Sequence, residues 1–83
     1  MQRRQSVEDF ADHMEKILRL NDHKGGWQGA PCHQLYGKLI EEVMELGHAL
    51  LNSNPENIRH EAVDVGNIAH MFYDNFKEVK KDV

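Results

Sequence analysis

Apolar residues recur with the period of an α-helix in three separate stretches of the chain. Phe10, Met14, Ile17 and Leu18 follow the i, i+4, i+7, i+8 spacing that gathers side chains on one face, which predicts a first helix ending near Leu20. Ser6, with Asp9 three residues on, is the expected N-cap and first-turn acid of that helix, and Met1–Gln5 are expected to fray. His23 to Pro31 (HKGGWQGAP) is rich in glycine and is predicted as a loop. A second helix is predicted from about His33 to Leu51, with Leu35, Leu39, Val43, Leu46 and Leu50 as its apolar stripe. Asn52-Ser53-Asn54-Pro55 is then a turn, in which Asn54 suits an N-cap and Pro55 the first helical position. Ile58, Ala62, Val65, Ala69, Phe72 and Phe76 define a third helix, expected to run on toward Lys77–Lys81. No stretch alternates with a period of two. The expected fold is all-α: an antiparallel helical hairpin plus an N-terminal helix, in a single domain over residues 1–83.

Length sharpens this picture. Folding 83 residues buries about 5,300 Å² of apolar surface, which contributes about 130 kcal/mol. Ordering the chain costs about 125 kcal/mol. The balance is near zero, so a second subunit is expected to complete the bundle core, as a homodimer or homotetramer. The single cysteine, Cys32, excludes an intramolecular disulfide framework and a multi-cysteine zinc site. The longest aliphatic run, Ala49-Leu50-Leu51, is far too short for a membrane span, so no membrane association and a cytoplasmic location are expected. A formal net charge of −4 argues against binding a nucleic acid polymer. It leaves room for a small phosphorylated substrate if metal ions supply positive charge.

The acids carry the most specific signal. Glu42 and Glu45 on the second helix, and Glu61 and Asp64 on the third, are pairs at i, i+3, so each pair lies on one helical face. At about 100° per residue, the second member of each pair falls near −60° from the first, while both apolar stripes fall between about +20° and +100°. Both helices thus hold an acid pair on the same shoulder of the stripe. Glu42 and Asp64 are equidistant from residue 53, as are Glu45 and Glu61, so the turn should set them opposite each other. Four carboxylates are expected to converge. Such a cluster raises its own pKa values unless a cation is present, and hard oxygen ligands select Mg²⁺, or Mn²⁺, over zinc. Solvated surface acids are the alternative.

The pattern Glu42xxGlu45, fifteen intervening residues, Glu61xxAsp64, within KLIEEVMELGHALL and EAVDVGNIAHMFYDN, resembles the ExxE…ExxD signature of MazG-like all-α nucleoside triphosphate pyrophosphohydrolases. The resemblance spans about Gly25 to Phe76 and is nearest to short phage and mobile-element members. It implies hydrolysis of a (deoxy)nucleoside triphosphate to monophosphate and pyrophosphate, and a homo-oligomer. It also implies magnesium held by Glu42, Glu45, Glu61 and Asp64, with Glu42 or Glu45 orienting the attacking water. The chain offers fewer helices than fuller family members, so a second subunit is expected to supply the missing pocket walls. A function of another class also suits the sequence: a non-catalytic helical dimerisation or antitoxin-like module that retains the acids.

Four further residues are candidates for substrate contact. The resemblance implies that Trp27 stacks on the nucleobase, although an indole in this loop equally suits a plug for the open end of the bundle. His23 and Lys24 can reach substrate from the same loop or remain plain surface residues. Lys38, one turn before Glu42, either neutralises a triphosphate oxygen or pairs with Glu42. Asn67 falls near the back of the third helix. Glu45xxHis48 is half of a di-iron motif, but the third helix offers Asn67xxHis70 rather than a second ExxH. Lys77, Lys80 and Lys81 favour a helix C-terminus electrostatically.

Overall fold

The turn between the second and third helices is two residues long and is specified by its side chains. Ser53 takes the left-handed conformation (φ 55°, ψ 32°) and donates its N–H back to the carbonyls of Ala49 and Leu50. Asn54 then caps the next helix, its Oδ1 accepting from the N–H groups of Glu56 (3.0 Å) and Asn57 (3.1 Å), with Pro55 in the first helical position. The computed structural model describes residues 1–77 and contains three α-helices: α1 (Gln5–Leu20), α2 (Cys32–Asn52) and α3 (Pro55–Phe76). There is no strand among the described residues. Lys80 and Lys81 lie outside them, and α3 ends at Phe76.

The start of α1 differs from the expectation. Ser6 is not its cap: the helix begins at Gln5, with Arg4 at the N-cap position and no side-chain capping bond. Instead Gln5 Nε2 donates to Asp9 Oδ1 at 2.9 Å, an i, i+4 link on the helix surface, and the acid in the first turn is Glu8 rather than Asp9. After α1 a short 3-10 turn, Asp22–Lys24, precedes the glycine-rich segment. Gly25 (φ 94°) and Gly29 (φ 79°) take backbone conformations that disfavour a Cβ, which lets the chain swing round into α2.

α3 is the central element. α2 packs along it on one side and α1 crosses it on the other, while α1 and α2 do not meet. Leu35 and Ala49 of α2 and Val63 of α3 form the fully buried apolar core. Val43 and Leu50, expected in the seam, are about half exposed, and Ala69 and Phe76 also face outward. The inward face of α2 is Leu35, Leu39, Glu42, Leu46 and Ala49, which turns the acids toward α3 and part of the apolar stripe away from it. Asn67, placed at the back of α3 by its wheel position, is buried because α1 covers that back; its Nδ2 donates to the Met14 carbonyl at 3.4 Å. The crossing depends on Gly66, where a Cβ would lie 2.6 Å from Phe10 Cζ.

This arrangement leaves one side of α2 bare. Tyr36, Ile40, Val43, Met44, Leu50 and Leu51 are all substantially exposed and fall within one broad sector of the helix, at about 100° per residue. The chain exposes 6859 Å², against about 5,100 Å² for a compact monomer of its mass. Its radius of gyration is 14.4 Å, against about 12 Å for a compact domain of this length.

Leu35 is the only large apolar side chain of α2 that is buried among the described residues. Leu35→Ala should therefore lower folding stability by about 2–5 kcal/mol, read as a reduced denaturation midpoint with helix content unchanged under native conditions.

Candidate metal centre

The hairpin brings carboxylates from both helices to one place. Glu42 and Glu45 of α2 and Glu61 of α3 each present a carboxylate oxygen within 4.8 Å of the other two. The i, i+3 spacing stacks the two α2 acids on one face, and the two-residue turn sets Glu61 level with them. Asp64 borders this triad. Its charge acts on Glu61, and its Oδ2 lies 3.4 Å from His60 Nε2.

Glu42 and Glu61 lie inside the seam between the helices, whereas Glu45 faces solvent. Glu42 Oε2 and Glu61 Oε1 are buried with no hydrogen-bond partner among the described residues. Burial, followed by the negative charges of Asp64, Glu45, Glu61 and Glu41, pushes the Glu42 carboxyl up to about 7. Glu61 is raised for the same reasons, burial first and then Asp64 and Glu45, with His60 acting in the opposite sense. A buried carboxylate oxygen lacking a donor costs about 1–3 kcal/mol or more. A hard divalent cation answers both deficits at once, since it supplies charge and takes oxygen ligands. The donor set fits Mg²⁺ or Mn²⁺, with Glu42, Glu45 and Glu61 as first ligands and Asp64 beside them.

The other candidates are distributed differently. Lys38 is exposed one turn before Glu42, and the expected ion pair with Glu42 is not formed. His23 and Lys24 sit exposed in the 3-10 turn that follows α1. Trp27 docks onto the C-terminal half of α3: its Nε1–H donates to Asp74 Oδ2 at 2.9 Å, and its carbonyl accepts from Asn75 Nδ2 at 3.1 Å. Its ring meets His70 edge-on, with centroids 5.1 Å apart. His70 and Asp74 lie roughly opposite Glu61 around α3, at about 100° per residue. The structure therefore brings the acids together and holds the indole on another face of the same helix. Asp74, which also pairs with Lys77 at 2.8 Å, was not singled out by sequence reasoning. Lys77 and Trp27 hold its carboxyl below the usual range.

No helix among the described residues is long and apolar enough to cross a membrane. No protein-family model matches the chain, and no curated protein or solved structure matches it significantly.

Two outcomes follow from this geometry. A carboxyl whose folded pKa exceeds its unfolded value binds more protons in the native state, so it weakens the fold as pH rises from about 4.5 through about 7. Melting temperatures in a chelator between pH 5 and pH 8 should fall more steeply for wild type than for Glu42→Gln, and Mg²⁺ should restore the wild-type protein at pH 8. Trp27 is the chain's single tryptophan, so its fluorescence reports the contact with α3. Trp27→Ala should cost on the order of 2 kcal/mol of stability, and Asp74→Asn should red-shift the wild-type emission. A raised KM with unchanged melting temperature in Trp27→Ala would instead assign the indole to substrate.

Proposed function

We propose that this chain is a magnesium-dependent nucleoside triphosphate pyrophosphohydrolase of the MazG-like all-α type, converting a (deoxy)nucleoside triphosphate and water to the monophosphate and pyrophosphate. One observation carries the reading: Glu42, Glu45 and Glu61 converge from two helices, and two of their oxygens are buried without a partner. Paired surface acids do not need burial. Carboxylates placed in a helix–helix seam are unfavourable without a cation, and the ExxE…ExxD spacing is the one that the MazG-like resemblance attaches to magnesium.

Glu42, Glu45, Glu61 and Asp64 hold the metal in this reading. The bound cation supplies positive charge against the phosphate oxygens as charge develops on them. Glu45, the most exposed of the triad, or Glu42 orients the water that attacks the α-phosphorus, with pyrophosphate leaving. Lys38, free of Glu42 and exposed on the same shoulder, is available to a phosphate oxygen. His23, Lys24 and Trp27 need a different disposition of the α1–α2 connection, or a second subunit, to reach the same substrate.

The same proposal includes a homo-oligomer. The uncovered α2 face, extended by Tyr73 and Phe76 of α3, is too apolar to remain in water, and a second copy of the hairpin offers it a matching apolar surface. This feature also suits a non-catalytic dimerisation module that retains the acids. Titration with Mg²⁺ and a non-hydrolysable nucleotide separates the two functions, since the module shows no saturable binding.

Each of Glu42→Gln, Glu45→Gln, Glu61→Gln and Asp64→Asn should abolish turnover while leaving the metal-free fold as stable or more stable. Near-wild-type rates in two or more of them would refute the site. Product analysis should give monophosphate and pyrophosphate rather than diphosphate and phosphate. Sedimentation should show at least a dimer at micromolar concentration, and Val43→Asp should shift it toward monomer; a stable wild-type monomer would refute the oligomer.

A further inference from the structure

The four acids near the seam are not equivalent. Glu42, Glu45 and Glu61 come within reach of one ion, and Asp64 is not in that group. Asp64 is also the one acid of the four with a basic side chain in ion-pair contact among the described residues. Its Oδ2 lies 3.4 Å from His60 Nε2, one helical turn away. The acid left outside the triad is the acid that is already paired. At about 100° per residue, Asp64 falls about 60° from Glu61 around α3, and His60 about 40° further in the same direction. His60 therefore lies on the side of Asp64 away from Glu61.

His60 is itself backed by α1. The His13 and His60 rings have centroids 6.3 Å apart, tilted by 57°, and both border one open cavity between α1 and the start of α3. The His60 side chain is 47% exposed and that of Asp64 23%, so the pair is neither sealed in the core nor fully in water. A contact in such a setting is modest in strength and can be exchanged for a better one. It does not require a charged imidazole, since a neutral ring with its proton on Nε2 also offers an N–H. Outer partners set the orientation of carboxylates that ligate metals. Here the partner stands on the side away from the triad.

We propose that His60 is a positioning residue of the metal centre: it holds Asp64 outside the triad, so that a cation takes Asp64 as a fourth carboxylate only by breaking the His60 contact. This role presupposes the magnesium reading of the triad and deepens it. Imidazole and cation compete for one carboxylate, so the strength of the contact is subtracted from the affinity of the site. α1 does not meet α2, yet through His13 and His60 it reaches the edge of a centre built on α2 and α3.

The test measures Mn²⁺ binding to the untagged full-length chain at pH 8, from loss of the free-ion electron paramagnetic resonance signal, with Mg²⁺ as competitor. His60→Phe and His60→Leu lack the N–H, and each should bind both ions about two- to fivefold more tightly than wild type, the range for a partly exposed pair. His60→Gln keeps an N–H donor and should stay near wild type. Asp64→Asn should bind more weakly, and adding His60→Phe to it should bring no gain. Circular dichroism checks that each variant is folded. If wild type binds Mn²⁺ and affinity is unchanged or lower in the folded Phe and Leu variants, His60 does not have this role and the magnesium reading stands. A gain that persists beside Asp64→Asn, or unchanged binding in Asp64→Asn alone, would overturn the role as well. Chains that bind neither ion in any variant would remove the magnesium reading together with it.

Discussion

Glu42 and Glu61 sit in the seam where α2 meets α3, and much of the rest of the structure follows from that placement. Two helices that meet through carboxylates sacrifice part of their apolar contact. The fully buried core among the described residues is reduced to Leu35, Ala49 and Val63. Turning α2 so that Glu42 faces inward turns Val43 and Leu50 outward by the same rotation, since neighbours on a helix are separated by about 100°. The acid cluster and the bare apolar face are thus two results of one helix orientation. In this hairpin the seam holds buried carboxylate oxygens without a partner among the described residues, and the outer face of α2 exposes apolar side chains.

The sequence made the hairpin and the grouping of its acids legible because both are local consequences of spacing. Asn54 and Pro55 announce the start of α3, and the observed cap is the one their chemistry prescribes. Of the four acids expected to converge, Glu42, Glu45 and Glu61 come within reach of one ion, and Asp64 is not in that group. The orientation of the helices was less legible. A wheel assigns each helix a single buried stripe, whereas α3 is covered on two sides. Val63, Gly66, Asn67 and His70 form a second series at i, i+3, i+4, i+7 that meets α1 and the Trp27 segment. Glycine, asparagine and histidine made that series look polar, though a small residue at a crossing and an amide with a backbone partner are suited to a close helix contact. The contact between Trp27 and Asp74 joins residues 47 apart in the chain. Nothing in local periodicity encodes it.

The α1–α3 crossing is built on other terms than the hairpin. Phe10 approaches the bare backbone of Gly66, and Asn67 reaches the Met14 carbonyl. Asn67 Oδ1 has no partner among the described residues. Contacts of this kind specify register but remove little apolar area from water, and α1 buries no residue fully. The Trp27 indole, bonded to Asp74 and packed on His70, compensates by tying the connection after α1 to the far half of α3.

Charge gives these two halves of the molecule different dependences on solution conditions. The Trp27 link rests on a carboxylate whose pKa is lowered by Lys77 and the indole N–H, so ionisation favours it and it is lost only in acid. The seam rests on carboxyls whose pKa values are raised, so ionisation opposes it until a cation arrives. Between about pH 5 and pH 7 the first contact is fully ionised while the second is only partly so. In the proposed reading, a divalent ion in the seam would displace the proton that Glu42 holds below about pH 7 and would offset the mutual repulsion of the acids. The physical division is between a contact of α3 that ionisation favours and a seam that ionisation opposes.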